Sequence, residues 1–125
     1  RFTMRRWAIE REVIEAINES ARYSLPNEFL CLLRAEKGVV TELVLLPGTI
    51  SGESHGILDV NMAPISFGVV GSAHSHPGTC NRPSDADLGF FNSMGGIHII
   101  TCEPFNSGSW KAYNSSGERI DVDVV

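Results

Sequence analysis

An apolar run, Phe67-Gly68-Val69-Val70-Gly71-Ser72-Ala73, stops at His74-Ser75-His76-Pro77, and after six further residues the chain reads Ser84-Asp85-Ala86-Asp87. The run has the length and composition of a buried strand. Side chains alternate along a strand, so His74 and His76 share one face and Ser75 takes the other. Pro77 biases His76 toward extended backbone and keeps the pair in register up to the turn. Pro83-Ser84 then signals a helix start, with Leu88 and Phe91 three apart on the following face. Ser84 and Asp87 are also three apart and are neighbours on a helix. A turn that lays this first helical turn over the strand end brings His74, His76 and Asp87 together. Two nitrogens and one carboxylate oxygen leave a fourth tetrahedral position open, the makeup of a catalytic zinc site and not of a closed structural one.

Other duties compete for the same residues. Ser84 and Asp87 also fit a capping box, although Glu or Gln is its usual third-position partner. The two histidines also fit as polar residues at a strand edge. Against this, two imidazoles in so apolar a strand need partners if buried. His55 and Asp59 are rival ligands, but His55 lies among glycine and serine and reads as solvent-facing. His98 has no matched partner two residues on, so it reads as a packing residue.

The rest of the chain bounds the fold. A length of 125 residues suits one domain, residues 1–125, around one core. Apolar residues make up 42% and charged residues 20%, as in a soluble globular protein. The formal charge of -5 gives no support to nucleic-acid binding. No apolar stretch approaches a membrane span and no secretory signal is visible, so the expected location is cytoplasmic, with no membrane partner. Cys31, Cys80 and Cys102 form no close pair, which argues against sulfur ligation of a metal.

Taken in order, residues Arg6 to Ala21 carry a helical stripe of Ile9, Val13, Ala16, Ile17 and Ala21. Leu25-Pro26-Asn27 breaks it. Glu28 to Arg34 reads as a central strand, with Glu28 at its mouth and Cys31 as a small buried hydrophobe. By position alone Glu28 is either idle and partly solvated or aimed at something. Ala35 to Gly38 turns into a partner strand, Val39 to Leu46, closed by Pro47-Gly48. A loop at Gly52 to Gly56 and a short strand at Ile57 to Val60 precede the histidine strand. The second helix ends near Met94 before Gly95-Gly96. Ile97 to Cys102, Ser109 to Asn114, and Ile120 with Val122 and Val124 follow as strands, the last an edge. The expected fold is α/β: a mixed, mostly antiparallel central sheet flanked by two main helices. No phosphate loop or dinucleotide fingerprint is present.

With these residues in hand, the chain resembles the JAMM (MPN-plus) zinc metalloprotease family in its minimal archaeal, single-domain, deubiquitinase-like form. The family pattern is an upstream Glu, then His-Ser/Thr-His-Pro, six residues, and Ser-x-x-Asp. His74, Ser75, His76, Pro77, Ser84 and Asp87 match it in full. Asn27-Glu28-Phe29, Leu45-Leu46-Pro47, His98-Ile99-Ile100 and Ser109 to Asn114 extend the likeness, which runs from about Arg6 to Val125.

The resemblance implies a fold related to that of cytidine deaminases, and one Zn2+ per chain on His74, His76 and Asp87. It implies that Glu28 takes a proton from the attacking water and returns it to the leaving amine. Ser84 stabilises the oxyanion, with its capping role secondary or absent. The substrate it implies is the bond after the C-terminal Gly-Gly of a ubiquitin-like modifier, whose tail pairs with an edge strand beside the cleft. It further implies a Cys80–Cys102 disulfide with Cys31 free, against the alternative of three free thiols in a reducing cytosol. A non-catalytic MPN-type scaffold is a second reading, which retention of all three ligands and Glu28 disfavours. A zinc deaminase lacks its Pro-Cys-x-x-Cys here. A related zinc hydrolase acting on small peptides or sulfur-carrier proteins, or one processing siderophores, is a third.

Overall fold

The structure is a computed structural model that describes residues 6–45 and 68–125. Leu46, Pro47-Gly48, the loop with His55, the short strand Ile57 to Val60 with Asp59, and Phe67 all lie outside the described residues.

Strand β2 (Leu30–Glu36) opens with four consecutive buried residues, as a strand covered on both faces must. Lys37 and Gly38 both take left-handed backbone, φ 53° and 82°. Two such residues make the primed turn whose twist matches a hairpin, and β3 (Val39–Val44) returns antiparallel to β2. The histidine strand β4 (Val69–His76) pairs antiparallel with β2 on one side. On its other side it pairs parallel with β5 (Ile97–Cys102). A parallel neighbour requires a crossover, and helix α2 (Asp85–Met94) supplies it. At the start of this parallel pair the backbones approach so closely that a Cβ on Gly71 would sit 1.6 Å from the Ile97 carbonyl oxygen. No side chain fits there. β6 (Trp110–Tyr113) and β7 (Arg119–Ile120) continue antiparallel outward from β5.

The N-terminal segment departs from the periodicity. The helix expected from Arg6 begins only at Arg11, as α1 (Arg11–Ser24), and Trp7–Ile9 forms strand β1. β1 runs parallel to β3, with Ile9 opposite Val40, and parallel to β8 (Val122–Val124), with Ile9 opposite Val124. Ile9 is fully buried, as its place in the stripe suggested, but its backbone is claimed by two strands more than thirty residues away. Local spacing carries no trace of such pairing.

The C-terminal strand is likewise divided. Arg119–Ile120 pairs with β6, whereas Val122–Val124 pairs with β1. The sheet order is β7-β6-β5-β4-β2-β3-β1-β8, so Asp121 alone joins its two outer strands. Residues two apart along a chain span at most about 7 Å. The sheet is therefore curled until its edges meet. Arg6, just ahead of β1, forms exposed ion pairs with Asp123 of β8 at 2.7 Å and with Asp121 at 3.8 Å.

The curl wraps α1. Its Val13, Ile14, Ile17 and Ala21 pack with Ile9, Phe29, Leu33, Ala73, Ile99 and Ala112 in the main core. On the opposite face of the sheet, Phe91 of α2 packs with Ile100 and Tyr113. Among the described residues, four strand pairs are antiparallel and three parallel. The mixed α/β sheet with two helices is as expected. Among the described residues, no helix is long and apolar enough to cross a membrane.

Candidate metal centre

His74 and His76 end β4 on the α2 face, their ring centroids 5.2 Å apart. Ser84 caps α2: its Oγ accepts from the Asp87 N–H at 3.1 Å, and the Asp87 carboxylate accepts from the Ser84 N–H at 2.9 Å. The capping box that competed with the metal reading is thus present together with it. It fixes the Asp87 rotamer, and the carboxylate reaches back toward β4. His74 Nε2 lies 3.1 Å from Asp87 Oδ1, and His76 Nε2 lies 3.2 Å from Oδ2.

These distances test whether a metal fits. A zinc ion holds nitrogen at about 2.0–2.1 Å, so atoms on a tetrahedral ion stand about 3.3 Å from one another. The three ligand atoms all fall within 4.8 Å of each other. His74 Nε2 is buried, close to the carboxylate, yet misaligned for a hydrogen bond, and among the described residues it has no hydrogen-bond partner. A buried nitrogen without a partner is costly, and a shared cation is the partner this arrangement accommodates.

The surrounding groups prepare the donors. The Cys80 carbonyl lies 2.9 Å from His76 Nδ1. A carbonyl only accepts, so Nδ1 donates its proton there, which leaves Nε2 as the nitrogen that faces Asp87. The Asp87 carboxylate raises the His76 pKa, and burial only partly opposes this. Burial alone would raise the pKa of Asp87. The adjacent imidazoles and the Ser84 N–H outweigh it and hold the carboxyl well below the usual range. Asp87 is a carboxylate at any working pH.

Glu28 is exposed just before β2, and its charge acts on His76. The last β2–β4 pair is Leu30 with His74, so Glu28 lies on the His76 side of the cluster without being one of its members. Ser84 uses a lone pair to cap the helix, which leaves its O–H proton free to donate. His98 is a packing residue, as expected. Its Nε2 donates to the Gly95 carbonyl at 2.7 Å, its Nδ1 accepts from Ser72 at 2.7 Å, and its ring is fully buried.

The implied Cys80–Cys102 disulfide is absent: all three cysteines are free thiols, with Cys80 exposed and Cys102 buried. Cys102 is paired with His76 across the β4–β5 ladder. The Cys102 thiol, however, donates to the Ser109 carbonyl at 3.4 Å. Hydrogen bonds instead pin the loop of residues 77–83 between β4 and α2, which carries Cys80 and forms the rim loop of the cluster. Glu103 N–H donates to the Gly78 carbonyl, Asn81 Nδ2 to that of Ser109, and Tyr113 O–H to that of Asn81, each at 2.9 Å. The edge strand expected beside the cleft is not β4, which is paired on both sides.

A His-His-carboxylate cluster between a strand end and a helix N-terminus, with a separate acid alongside, defines a metal-dependent hydrolase. Residues 10–115 match the prokaryotic homologs of the JAB domain, and the chain belongs to that family within the JAMM/MPN metalloprotease superfamily. It is 37% identical to a probable metalloprotease of Haloferax volcanii, over 94% of this chain and 78% of that one. A JAB1/MPN domain protein of Archaeoglobus fulgidus superposes with a TM-score of 0.78 at 38% identity, covering 94% of this chain and 98% of that one. A structure described as the JAMM metalloprotease-like zinc site in the proteasome and signalosome does so at 0.77 and 36%, covering 97% and 99%.

Sequence reasoning missed three supports: the Cys80 carbonyl, the Ser72–His98–Gly95 chain, and the Ser75 hydroxyl, which accepts from the Phe29 N–H at 2.8 Å. Only the last had a signal, the alternation that turns Ser75 away from the ligands.

Proposed function

We propose that this chain is a zinc-dependent hydrolase, acting as one catalytic domain, that cleaves the isopeptide or peptide bond after the C-terminal Gly-Gly of a ubiquitin-like modifier. The observation that carries the chemistry is the convergence of His74, His76 and Asp87 around a buried His74 Nε2 that has no hydrogen-bond partner among the described residues. The superfamily's frequent action on ubiquitin-like conjugates supports the substrate, as does the relative described in terms of the proteasome and signalosome.

His74, His76 and Asp87 would hold one zinc ion. Bound there, it supplies Lewis-acid chemistry, acidifying a water and polarising the scissile carbonyl. Glu28 collects the proton that the water gives up on attack and hands it to the departing amine. The free Ser84 O–H proton is aimed at the carbonyl oxygen as charge develops there. The capping box keeps Ser84 and Asp87 in one rigid unit, so donor and ligand hold their spacing through turnover.

The test combines zinc stoichiometry after reconstitution with cleavage of a modifier fusion. One zinc per chain is expected, with cleavage after Gly-Gly and little after Ala-Ala. Glu28→Gln should keep the zinc and lose about 10²–10⁴-fold in turnover. A chain that takes up no zinc, or that cuts both fusions equally, defeats the proposal.

A further inference from the structure

Ser75 stands between the two histidines but faces away from them, 1% exposed, toward the start of β2. Two hydrogen bonds tie it to Phe29. Its N–H donates to the Phe29 carbonyl at 3.0 Å, and its Oγ accepts from the Phe29 N–H at 2.8 Å. In a regular antiparallel pair the second bond would run to the opposing backbone carbonyl. Here the side chain takes it, and the β2–β4 ladder has its last pair at Leu30 and His74.

Residue 28 therefore leaves the sheet at a fixed point. On one side Phe29 is held by Ser75 and by its own side chain, buried in the α1 core. On the other, the Asn27 N–H donates to the Ser24 carbonyl at 2.7 Å. Glu28 is the exposed residue between these two anchors, and its charge reaches His76.

We infer that Ser75 is a positioning residue for Glu28: its hydroxyl draws the Phe29 N–H off the backbone ladder and so sets where the Glu28 carboxylate stands relative to the histidine pair. The inference rests on the reading of Glu28 as the proton carrier. One tripeptide then serves both halves of the site. His74 and His76 present nitrogens on one face, and Ser75 orients the acid from the other. Any shift of β4 moves ligands and acid together, which keeps their separation constant.

The test is a double-mutant cycle. Ser75→Ala, Ser75→Thr, Glu28→Gln and the Ser75→Ala/Glu28→Gln double variant are compared with the wild type on the Gly-Gly fusion. Zinc content, the acid limb of the kcat/KM pH profile, and hydrogen exchange of the Phe29 amide in metal-free protein are also followed. Misplacing a reacting group by about 1 Å can cost about 10²-fold. Ser75→Ala should therefore lose about that much in kcat, keep its zinc, shift the acid limb and speed Phe29 exchange. Ser75→Thr, which keeps the hydroxyl, should recover most of the rate. In the Glu28→Gln background Ser75→Ala should cost nothing more, because residues acting as a unit are not additive. If Ser75→Ala does not fold, Ser75→Cys, of similar size but a weak acceptor, carries the same comparisons. A normal rate in Ser75→Ala beside an inactive Glu28→Gln overturns the positioning role alone, as do fully additive losses. Wild-type turnover by Glu28→Gln overturns the proton-carrier reading, and this role with it.

Discussion

The Phe91 ring lies flat on His98, with centroids 4.3 Å apart and planes 9° from parallel. His98 is held at both nitrogens by Ser72 and Gly95, so the surface that Phe91 rests on does not rotate. Phe91 follows Asp87 by one helical turn and shares its face of α2. The stack thus fixes the height of Asp87, the one member of the described cluster that does not come from β4. Emptying a fully buried aromatic site costs roughly 3–5 kcal/mol. Phe91→Ala should lower the urea midpoint accordingly and also weaken zinc binding in a competitive chelator titration. Unchanged zinc affinity in a folded variant would show that α2 is seated by other contacts.

Ser84 has two duties that one substitution separates by magnitude. Losing a Ser N-cap costs about 0.5–2 kcal/mol of stability. Losing a well-aimed oxyanion donor costs about 2.7–4 kcal/mol of transition-state stabilisation. Ser84→Ala should show the first in denaturant melts and the second in kcat, whereas Ser84→Asn should restore most of the stability and little of the rate. Parallel recovery of both would leave Ser84 with the cap alone.

His98 gives the stability a pH dependence of known sign. Burial, offset in part by the Gly95 carbonyl, lowers its pKa from 6.5 to about 4. The unfolded chain therefore binds a proton that the folded chain refuses. This contribution is complete above about pH 6.5 and is lost as pH falls toward 4, on the order of 2 kcal/mol at pH 5. His76, whose pKa is raised, acts in the opposite direction in metal-free protein. The measurement is therefore the difference in slope between wild type and His98→Leu, in melts from pH 7.5 to pH 4.5. The variant should be less stable at neutral pH but lose less on acidification; equal slopes would contradict the assignment.

The three thiols should respond unequally. Cys80 is exposed, and the Arg82 backbone N–H leads the effects that lower its pKa. Burial pushes the Cys31 thiol up to about 12, and it raises that of Cys102 as well. Brief alkylation of native protein purified without reductant should label Cys80 alone, and alkylation after unfolding should label all three. A linked Cys80–Cys102 peptide in a non-reducing digest would contradict the free thiols.

Sequence alone determined the elements whose signals are local. The ligand spacing, the end of β4 at Pro77, the Ser84 start of α2 with its stop at Gly95, and β5 from Ile97 to Cys102 all follow from alternation, caps and turn residues. Each is set by neighbours within a few residues, and the site inherits that legibility, since β4, one loop and one helical turn carry all three ligands. Tertiary structure decided whatever depends on strands distant in the chain. Trp7–Ile9 became a strand because Val39–Val40 and Val122–Val124 offered backbone partners worth more than an early helical turn. The tail divided at Asp121 because the curled sheet brings its two edges together. Cys102 is a free thiol whose Sγ bonds the Ser109 carbonyl, a partner supplied from outside its own strand. Ser75 acquired a partner because β2 passes beside it. Patterning states which face a side chain takes, but the group that waits on that face is set by packing between segments far apart in the chain.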